Sequence, residues 1–283
     1  MKKFTAFLLL AVLLVSALLC TSCGDEKTLT IAVPNDTTNE ARALLLLERE
    51  GVIKLKEGAG ITATIRDIVE NPLNIKFEEV EAAALPNLLP DVDYAIINSN
   101  YAISAGINPV KDSLAMEDSS SAYANLVAVK EGHENDPIVL ALMAALKSKQ
   151  VADYIGKTYD GGVVSVIKDT TDGYDASIDY DALNGQSISI AASPTPHADI
   201  LKIAADILKA KGITLNIREF DDYVQPNMVV EEGEIDANFF QHAPYLDDFN
   251  KENNTHIVSV GVVHVEPMGL YGGKQSDLKA LKK

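Results

Sequence analysis

An aromatic and imidazole cluster stands out near the end of the chain, where residues 236–249 read DANFFQHAPYLDDF. The run Ile235–Phe240 is short and mostly apolar, as is typical of the end of a buried strand. Pro244 then opens a segment in which Leu246 and Phe249 have helical spacing. A strand that ends in ring side chains and turns into a helix is a common position for a ligand in an α/β sheet. The alternative interpretation of this stretch is that its two Phe residues belong to the core and its His lies on the surface.

A second chemical signal is Arg42, which lies in the first turns of a predicted helix. Thr37 and Glu40 have the spacing of a capping box, and Ala41–Glu48 continues as an apolar helical run. A cation so close to a helix N-terminus opposes the macrodipole, so helix stability does not require it. A guanidinium at this position suits a bound carboxylate or another anion, and a solvated surface arginine is the alternative.

The elements that must position these residues alternate along the chain. Strand-like runs such as Thr28–Val33 and Tyr94–Asn98 are followed by helical patterns, which predicts the α/β class. One set of alternating elements precedes about Lys111 and another follows about Gly185, after a polar, acidic stretch at 168–186. We therefore predict two lobes with a cleft between them, and a linker or surface excursion at the acidic stretch.

Length and charge restrict the classes of function. The 283 residues are 47% hydrophobic and carry a formal net charge of −17. This length is sufficient for one large or two medium domains with their own cores. No cluster of Lys and Arg follows the first three residues, so we predict no nucleic-acid binding.

Enzyme motifs are absent from the sequence. It contains no Gly-x-Ser-x-Gly, no HExxH, no P-loop and no Rossmann glycine fingerprint. Its five His residues are scattered without the spacing of metal ligands. His264 and Glu266 alternate on one predicted strand face, where a structural role is favoured over a ligand pair. We predict no catalytic residue, no metal and no cofactor.

The first residues have the pattern of a secretory signal. After two Lys residues, the apolar run Phe7–Leu19 has roughly 13 residues, too few to cross a ~30 Å hydrocarbon core. A small Ser precedes Cys23, as in a lipobox, so we predict a signal peptide at 1–22 and a lipid on the Cys23 thiol. A short tether at 23–27 would follow. Processing at Cys20 and a CxxC redox or metal pair are the alternatives.

Two longer motifs carry a family resemblance. Residues 34–48 read PNDTTNEARALLLLE, residues 222–227 read DYVQPN, and residues 233–246 read GEIDANFFQHAPYL. In these motifs the chain closely resembles the methionine-binding lipoprotein family (MetQ/NlpA type), the substrate-binding proteins of ABC importers. The resemblance covers nearly the whole mature chain apart from the acidic stretch and both termini. It implies a two-lobed, periplasmic-binding-protein-like (type II) fold with a ligand cleft between the lobes.

The order of the segments departs from that family. The part that resembles the family's first lobe follows the part that resembles its second, which predicts a circularly permuted chain joined through residues 168–186. A remnant of a tandem duplication is the alternative. We predict one lobe at 28–115, the other at 116–275 and a C-terminal tail at 276–283. The cut is expected at one of two interlobe crossings, with Thr28 and the tail close together beside the hinge.

The resemblance also implies a set of ligand contacts. Arg42 matches the arginine expected to bind a ligand carboxylate, and Asn98 and Asn125 match contacts to the amino-acid backbone. The side-chain pocket is matched by Tyr223, Phe240, His242 and Tyr245. For His242, a hydrogen bond to the ligand and a structural bond to the backbone both remain open, and Asn100 is open as a turn former. Phe239 points to the opposite strand face and is predicted as core.

The implied function is that of an extracytoplasmic lipoprotein in the cell envelope. It would bind L- or D-methionine, or a close analogue, and deliver it to an ABC permease with its ATPase, as a monomer anchored to the membrane by its N-terminal lipid. A non-transporting surface lipoprotein, a duplication remnant and an extracytoplasmic hydrolase are the alternatives. The sequence does not choose between the methionine enantiomers, or between an envelope with one membrane and one with two.

Overall fold

The structure is a computed structural model that describes residues 28–118 and 121–282. The predicted signal peptide, the predicted lipid site Cys23 and the tether lie outside the described residues. No helix in the described part of the chain combines the length and the apolar character needed to cross a membrane.

The described strands, in chain order, are β1 (Thr30–Pro34), β2 (Lys54–Leu55), β3 (Ile68–Glu70), β4 (Lys76–Val80), β5 (Tyr94–Ile97), β6 (Ser113–Met116), β7 (Ala124–Lys130), β8 (Val164–Ser165), β9 (Ser187–Ala192), β10 (Thr214–Glu219), β11 (Ala237–His242), β12 (Ile257–Val265) and β13 (Gly269–Gly272). The described α-helices are α1 (Thr37–Arg49), α2 (Leu85–Leu88), α3 (Ser99–Ser104), α4 (Pro109–Asp112), α5 (Pro137–Leu146), α6 (Lys149–Tyr159), α7 (Tyr180–Leu183), α8 (Asp199–Lys209), α9 (Gln225–Glu231) and α10 (Ala243–Asn253). Short 3-10 turns lie between several of these elements.

The strands form two main sheets, one in each lobe. The first lobe has the spatial order β4-β1-β5-β13-β6, and the second lobe has the order β10-β9-β11-β7-β12-β8. In the first sheet β1 is parallel to β4 and β5, whereas β13 is antiparallel to β5 and β6. In the second sheet β9 is parallel to β10 and β11, whereas β7 is antiparallel to β11 and β12. The predicted two-lobed α/β fold is confirmed.

Alternating side chains of β1 fill two cores in the first lobe. Ile31 and Val33 join the core that includes Leu44 and Leu47 of α1, while Ala32 faces a second core with Leu85. Helices therefore cover both faces of this sheet, which explains why its central strands read as continuous apolar runs. This burial fixes α1 directly after β1 and directs its first turn toward the carboxyl ends of the strands.

The start of α1 differs from the predicted capping box. Asp36 is the N-cap, and its carboxylate accepts a hydrogen bond from the backbone N–H of Asn39 at 3.0 Å. Thr37 is the first helical residue, and Glu40 instead accepts from the backbone N–H of Ile65 at 2.8 Å. Asp and Thr are both good N-cap residues. The sequence therefore did not determine whether Asp36 or Thr37 caps the helix, and the surrounding fold did.

Two segments cross between the lobes, and both are intact. One joins β6 to β7, and the other is the short segment Glu266–Met268 between β12 and β13. The predicted lobe boundaries are therefore corrected, because β13 and Met116 belong to the sheet of the first lobe rather than to a second lobe at 116–275. The predicted cut at an interlobe crossing is also wrong, since β13 pairs with β5 before the chain reaches its tail.

The two ends of the described chain lie together on the first lobe. Leu29 and Leu281 share one hydrophobic core, and the Asp93 carboxylate accepts from Thr30 N at 3.0 Å and from Gln275 Nε2 at 2.9 Å. Their predicted proximity is confirmed. Their predicted place beside the hinge is wrong, because β13 starts at the cleft and runs away from it.

The acidic stretch at 168–186 packs onto the second lobe. Tyr174 donates a hydrogen bond to the carbonyl of Ile207 at 3.1 Å, and Leu183 of α7 is buried in the core. Lys211 lies over the Tyr174 ring, 4.6 Å from its centroid. Of the two forms predicted for this stretch, the structure shows the surface excursion.

Candidate functional site

A cavity of about 340 Å³ lies between the lobes, at the ends of their central strands. Its lining is contributed by both lobes and consists of Asn39, Arg42, Asn98, Ser99, Asn100, Asn125, Tyr223, Phe240, Gln241, His242, Tyr245 and Glu266. All seven side chains predicted as ligand contacts are among them. The position agrees with the general preference of α/β proteins for ligands beyond the carboxyl ends of strands.

Arg42 is buried, and its guanidinium is already well engaged. Its Nε and Nη2 donate to the carboxylate of Glu117 at 3.1 and 2.6 Å, and Nη2 also donates to the carbonyl of Glu266 at 3.0 Å. Nη1 donates to Asn39 Oδ1 at 3.1 Å, and the group lies 4.6 Å from the centre of the Tyr123 ring. These contacts rule out a solvated surface arginine. They leave one N–H of Nη1 without a hydrogen-bond partner among the described residues.

Electrostatics keep Arg42 charged. Burial by itself lowers the pKa of its guanidinium, but the charge and hydrogen bonds of Glu117 raise the pKa above its ordinary value. The pair is bidentate, the geometry that most favours an Arg–carboxylate contact. The guanidinium that we predicted to bind a ligand carboxylate is therefore already paired with Glu117. The N–H of Nη1 that has no partner among the described residues is the donor left for a bound anion.

The predicted asparagines lie on opposite sides of the cavity. Asn98 follows β5 and donates from Nδ2 to Asn39 Oδ1 at 2.9 Å, while its own Oδ1 is buried with no hydrogen-bond partner among the described residues. Asn125 opens onto the cavity from β7, and its Oδ1 lies 3.0 Å from His197 Nε2. Asn100 accepts a hydrogen bond from the Tyr223 hydroxyl at 2.7 Å, which joins the two lobes across the cleft.

Three rings form one wall of the cavity. The centroids of Tyr223 and Phe240 are 5.8 Å apart, those of Tyr223 and Tyr245 are 5.8 Å apart, and those of Phe240 and Tyr245 are 5.9 Å apart. The Tyr245 hydroxyl donates to the Tyr223 carbonyl at 2.9 Å, and burial raises the pKa of the Tyr223 hydroxyl well above its usual range. The wall therefore presents uncharged, mutually supported rings to an apolar group.

His242 caps helix α10 and is uncharged. Its Nδ1 accepts the backbone N–H of Tyr245 at 3.2 Å, and burial, followed by the charge of Arg42, lowers its pKa well below the usual range. A neutral imidazole that accepts at Nδ1 carries its proton on Nε2. His242 thus has the structural bond to the backbone, and it retains one donor nitrogen.

His197, His264 and Glu266 form a buried carboxylate–imidazole group beside the cavity. Glu266 Oε1 lies 2.7 Å from His264 Nε2 and 3.2 Å from His197 Nε2. The three possible ligand atoms lie within 4.8 Å of one another, close enough to consider one metal ion. Both Nδ1 atoms lack a hydrogen-bond partner among the described residues, whereas metal-bound imidazoles usually donate from the other nitrogen. His264 Nε2 forms a hydrogen bond with Glu266 Oε1, whereas the hydrogen bond of His197 Nε2 is to Asn125 Oδ1 at 3.0 Å.

The charge of this group is carried by Glu266. Burial lowers the pKa of His197 to about 3, so this imidazole is neutral at physiological pH. Burial alone raises the pKa of Glu266, but His197, His264 and Arg42 outweigh it and lower the pKa below its ordinary value. Glu266 is therefore a buried carboxylate anion at the cavity wall.

Sequence reasoning missed five lining residues or gave them no ligand role: Asn39, Ser99, Asn100, Gln241 and Glu266. Asn39 is three residues before Arg42 on the same helix, so helical spacing offered a signal for it. Glu266 was assigned only a structural role on its strand. The sequence held no signal for its contact with His197, because the partner lies on a distant part of the chain. Phe239, predicted as core, is fully buried against the His197 ring at 4.8 Å.

Two α/β lobes are joined by two crossing segments around a cavity built from both, which is the architecture of proteins that close like a clamshell around a ligand. The chain belongs to the NlpA lipoprotein family, whose model matches residues 26–167 and 188–283. The gap between the two matches nearly coincides with the acidic stretch at 168–186.

Individual relatives match about half of the chain. The membrane lipoprotein TpN32 of Treponema pallidum (strain Nichols) is 47% identical over 135 residues, which are 48% of this chain and 50% of that protein. The D-methionine-binding lipoprotein MetQ of Escherichia coli (strain K12) is 43% identical over 136 residues, which are 47% of this chain and 50% of that protein. The chain thus spans about half the length of the curated relatives it matches.

Among solved structures, a nutrient-binding protein from Burkholderia cenocepacia bound to methionine has 48% sequence identity and a TM-score of 0.46. The likeness covers 48% of this chain and 57% of that one.

Proposed function

We propose that this protein is an extracytoplasmic lipoprotein that binds methionine, or a close analogue, between its lobes and delivers it to the permease of an ABC importer. The observation that carries the proposal is the gathering of all seven predicted contacts around one cavity, with Arg42 from the first lobe facing three rings from the second. The family membership and the similarity to D-methionine-binding lipoproteins support the same ligand.

The lining suits each part of the ligand. The N–H on Nη1 of Arg42 and the proton on Nε2 of His242 are donors for a carboxylate. The rings of Tyr223, Phe240 and Tyr245 suit a thioether, since each sulfur–aromatic contact contributes about 0.3–1.5 kcal/mol. The side chains come from both lobes, so a bound ligand favours the closed arrangement by contacts that an open one lacks.

Isothermal titration with L-methionine and with D-methionine tests this proposal. Binding of either enantiomer, with leucine and glutamine as controls that lack the thioether, is the expected result. Absence of binding by both enantiomers would contradict the proposal and favour a non-transporting surface lipoprotein. Mass spectrometry of ligand that co-purifies with the protein identifies the natural enantiomer or analogue.

Anchoring and partners belong to the same proposal. A lipid on Cys23 would hold the protein at the membrane, where a permease and its ATPase receive the ligand from a monomer, and no catalytic activity is expected. Cys23→Ala should move the protein from the membrane fraction to the soluble fraction of cells. Cys20→Ala is the matched control and should leave the distribution unchanged; the reverse pattern would assign the lipid to Cys20.

A further inference from the structure

Three buried amide side chains lie behind the aromatic wall of the cavity, on helix α9 and strand β11. We call Asn227, Asn238 and Gln241 the amide triad; their exposed fractions are 0%, 0% and 2%. Asn227 Nδ2 donates to Gln241 Oε1 at 3.0 Å, and Gln241 Nε2 donates back to Asn227 Oδ1 at 2.7 Å. Asn238 Nδ2 donates to Asn227 Oδ1 at 2.8 Å, and Asn238 Oδ1 accepts from Gln241 Nε2 at 2.9 Å. Every side-chain oxygen and nitrogen of the triad therefore has a hydrogen-bond partner.

The triad lies at an irregularity in strand β11. In the pairing of β11 with β7, Phe239 pairs with Val127 and Gln241 pairs with Leu126, so Phe240 is an extra residue, as in a β-bulge. Side chains three residues apart on a regular strand lie on opposite faces of the sheet. The bulge instead brings Gln241 within hydrogen-bond distance of the other two amides. The hydrogen bonds of the triad therefore hold the bulge, and Phe240 with it.

The same side chains tie helix α9 to strand β11. Tyr223 lies two residues before α9, and Asn227 is in the first turn of that helix. The carbonyl of Pro226, also in the first turn, accepts from Asn238 Nδ2 at 3.1 Å. The Tyr223 and Phe240 rings are 5.8 Å apart. Their spacing therefore depends on two elements that the triad joins.

A buried amide network contributes direction more than net stability. Burial of an amide is costly unless the amide is hydrogen-bonded, and the net gain from each hydrogen bond is small. Each bond, however, is strong only over a narrow range of distance and angle, whereas apolar side chains of the right volume can pack in several ways. The triad therefore restricts how far α9 and β11 can shift relative to each other.

We infer that the amide triad is a set of positioning residues that fixes the bulge at Phe240 and the spacing of Phe240 from Tyr223, and thereby sets the length of ligand side chain that the cavity accepts. The inference rests on the proposed function and deepens it. Asn227 and Asn238 lie outside the cavity lining, so they act on the ligand only through the aromatic wall. A change in either should therefore relax the selectivity for side-chain length more than it weakens binding.

The test compares methionine with ethionine of the same configuration, which carries one more methylene on its sulfur. Titration of the wild-type protein should show that ethionine binds about tenfold or more weakly, because one extra methylene in an apolar pocket changes binding by a factor of roughly 10–200. Asn227→Ala removes the amide that bonds both of the others. We expect this variant to bind methionine about three- to tenfold more weakly and to narrow the discrimination to about threefold or less.

Val151→Ala is the control for stability, because Val151 is fully buried in the core of the second lobe and lies outside the cavity lining. It should lower the Tm and leave the discrimination unchanged. If Asn227→Ala does not fold, as judged by its Tm, Asn238→Ala is held to the same criterion; failure of both to fold assigns the triad to stability and overturns the inference. Full discrimination in a folded triad variant, or equal binding of ethionine by the wild-type protein, also overturns the inference alone. Failure of the wild-type protein to bind either methionine enantiomer overturns the proposed function itself.

Discussion

The guanidinium of Arg42 connects parts of the chain that are far apart in sequence. It reaches Asn39 on its own helix, Glu117 in the segment between β6 and β7, and the carbonyl of Glu266 in the other crossing segment. One side chain therefore contacts both segments about which the lobes would move. Its removal should affect the binding site and the hinge together.

Arg42→Ala should lower methionine affinity by about thirtyfold or more, because loss of a buried, hydrogen-bonded charge typically costs ~2–5 kcal/mol. The Tm of the Arg42→Ala variant should also fall, because the Glu117 carboxylate loses its paired cation. Arg66→Ala, at an exposed position, is the control and should change neither quantity. Isothermal titration and thermal unfolding measure both; an affinity within about threefold of the wild type would show that Arg42 does not bind the ligand.

The buried His197 makes stability depend on pH. Burial lowers its pKa to about 3, whereas an imidazole in the unfolded chain titrates near 6.5. Below the unfolded value the unfolded chain binds more protons than the folded protein, so the free energy of unfolding falls as the pH falls. The lowered pKa of Glu266 acts in the same direction at more acid pH.

We expect His197 to account for a loss of about 3 kcal/mol between about pH 7 and pH 4. Urea unfolding across this range measures the slope. His197→Asn, which cannot titrate, should make the slope shallower while the buried His242 still contributes, whereas the exposed His133→Asn should leave it nearly unchanged. A slope in His197→Asn as steep as in the wild type would assign the acid sensitivity to other groups.

Among the elements, helix α1 positions the charged end of the site. It is fixed at its start by the Asp36 carboxylate, which bonds the backbone N–H and the side-chain amide of Asn39. Asn39 in turn accepts from Arg42 and from Asn98. The cap of the helix and the orientation of the site are therefore one hydrogen-bonded chain.

Asp36→Ala should destabilise the protein by about 0.5–2 kcal/mol, as removal of an N-cap does. It should also weaken methionine binding, because Asn39 loses its orientation. Thr37→Ala is the matched control at the position that the sequence pattern selected as the cap, and it should have the smaller effect on both. Urea unfolding and methionine titration of the two variants show which residue is the N-cap. A larger loss of stability from Thr37→Ala would support the capping box that the sequence predicted.

The cleft is closed by a hydrogen bond between elements of different lobes. Tyr223, which precedes α9, donates to Asn100 on α3 at 2.7 Å, and the neighbouring Tyr101 donates to the Asp221 carbonyl at 3.0 Å. The Tyr101 and Tyr223 rings are 5.0 Å apart. Opening of the cleft must break these contacts.

Tyr223→Phe should weaken methionine binding about three- to tenfold, since one hydrogen bond contributes roughly 0.5–1.5 kcal/mol to the closed state. Tyr174→Phe is the control, because its hydroxyl bonds the Ile207 carbonyl within one lobe. That variant should lose stability without losing affinity. Equal affinity losses in the two variants would indicate a general effect of destabilisation rather than an effect on closure.

For the whole molecule, the permuted order of segments remains a prediction; the family model matches the chain in two parts, residues 26–167 and 188–283. The ends of the described chain meet on the first lobe, and the acidic stretch lies on the surface of the second. Chain ends that lie close together at the surface are where circular permutation is tolerated. The chain ends could therefore be joined, and new ends could be opened in the acidic stretch, without a change in either crossing segment.

A rearranged chain that joins residue 282 to residue 28 through a short flexible linker, with new ends inside 168–186, should keep its fold. We expect methionine affinity within about threefold of the wild type, because no contact of the cavity is changed. New ends inside β5, which is buried on both faces, should prevent folding and serve as the control. Loss of folding in the first rearrangement alone would show that the acidic connection is required.

Much of this architecture was readable from the chain. Periodic apolar runs predicted the α/β lobes, and the matched motifs predicted which seven side chains gather. The lobe boundary failed at β13, since a four-residue strand of Gly269–Gly272 has too few letters to show which sheet it joins. The Arg42–Glu117 pair was not predicted, because nothing in the sequence around either residue indicates that the other is its partner.

The sequence by itself determined the local patterns: the burial of β1 and β5, the amphipathic helices, and the aromatic run that ends β11. These depend on neighbours within a few residues, whose spacing the letters contain. Only the tertiary structure decided that Arg42 meets Glu117, 75 residues away, and the Glu266 carbonyl, 224 residues away. The physical reason is that such partners are chosen by how two sheets and their crossing segments pack, and a buried charge takes whichever partner that packing brings within reach.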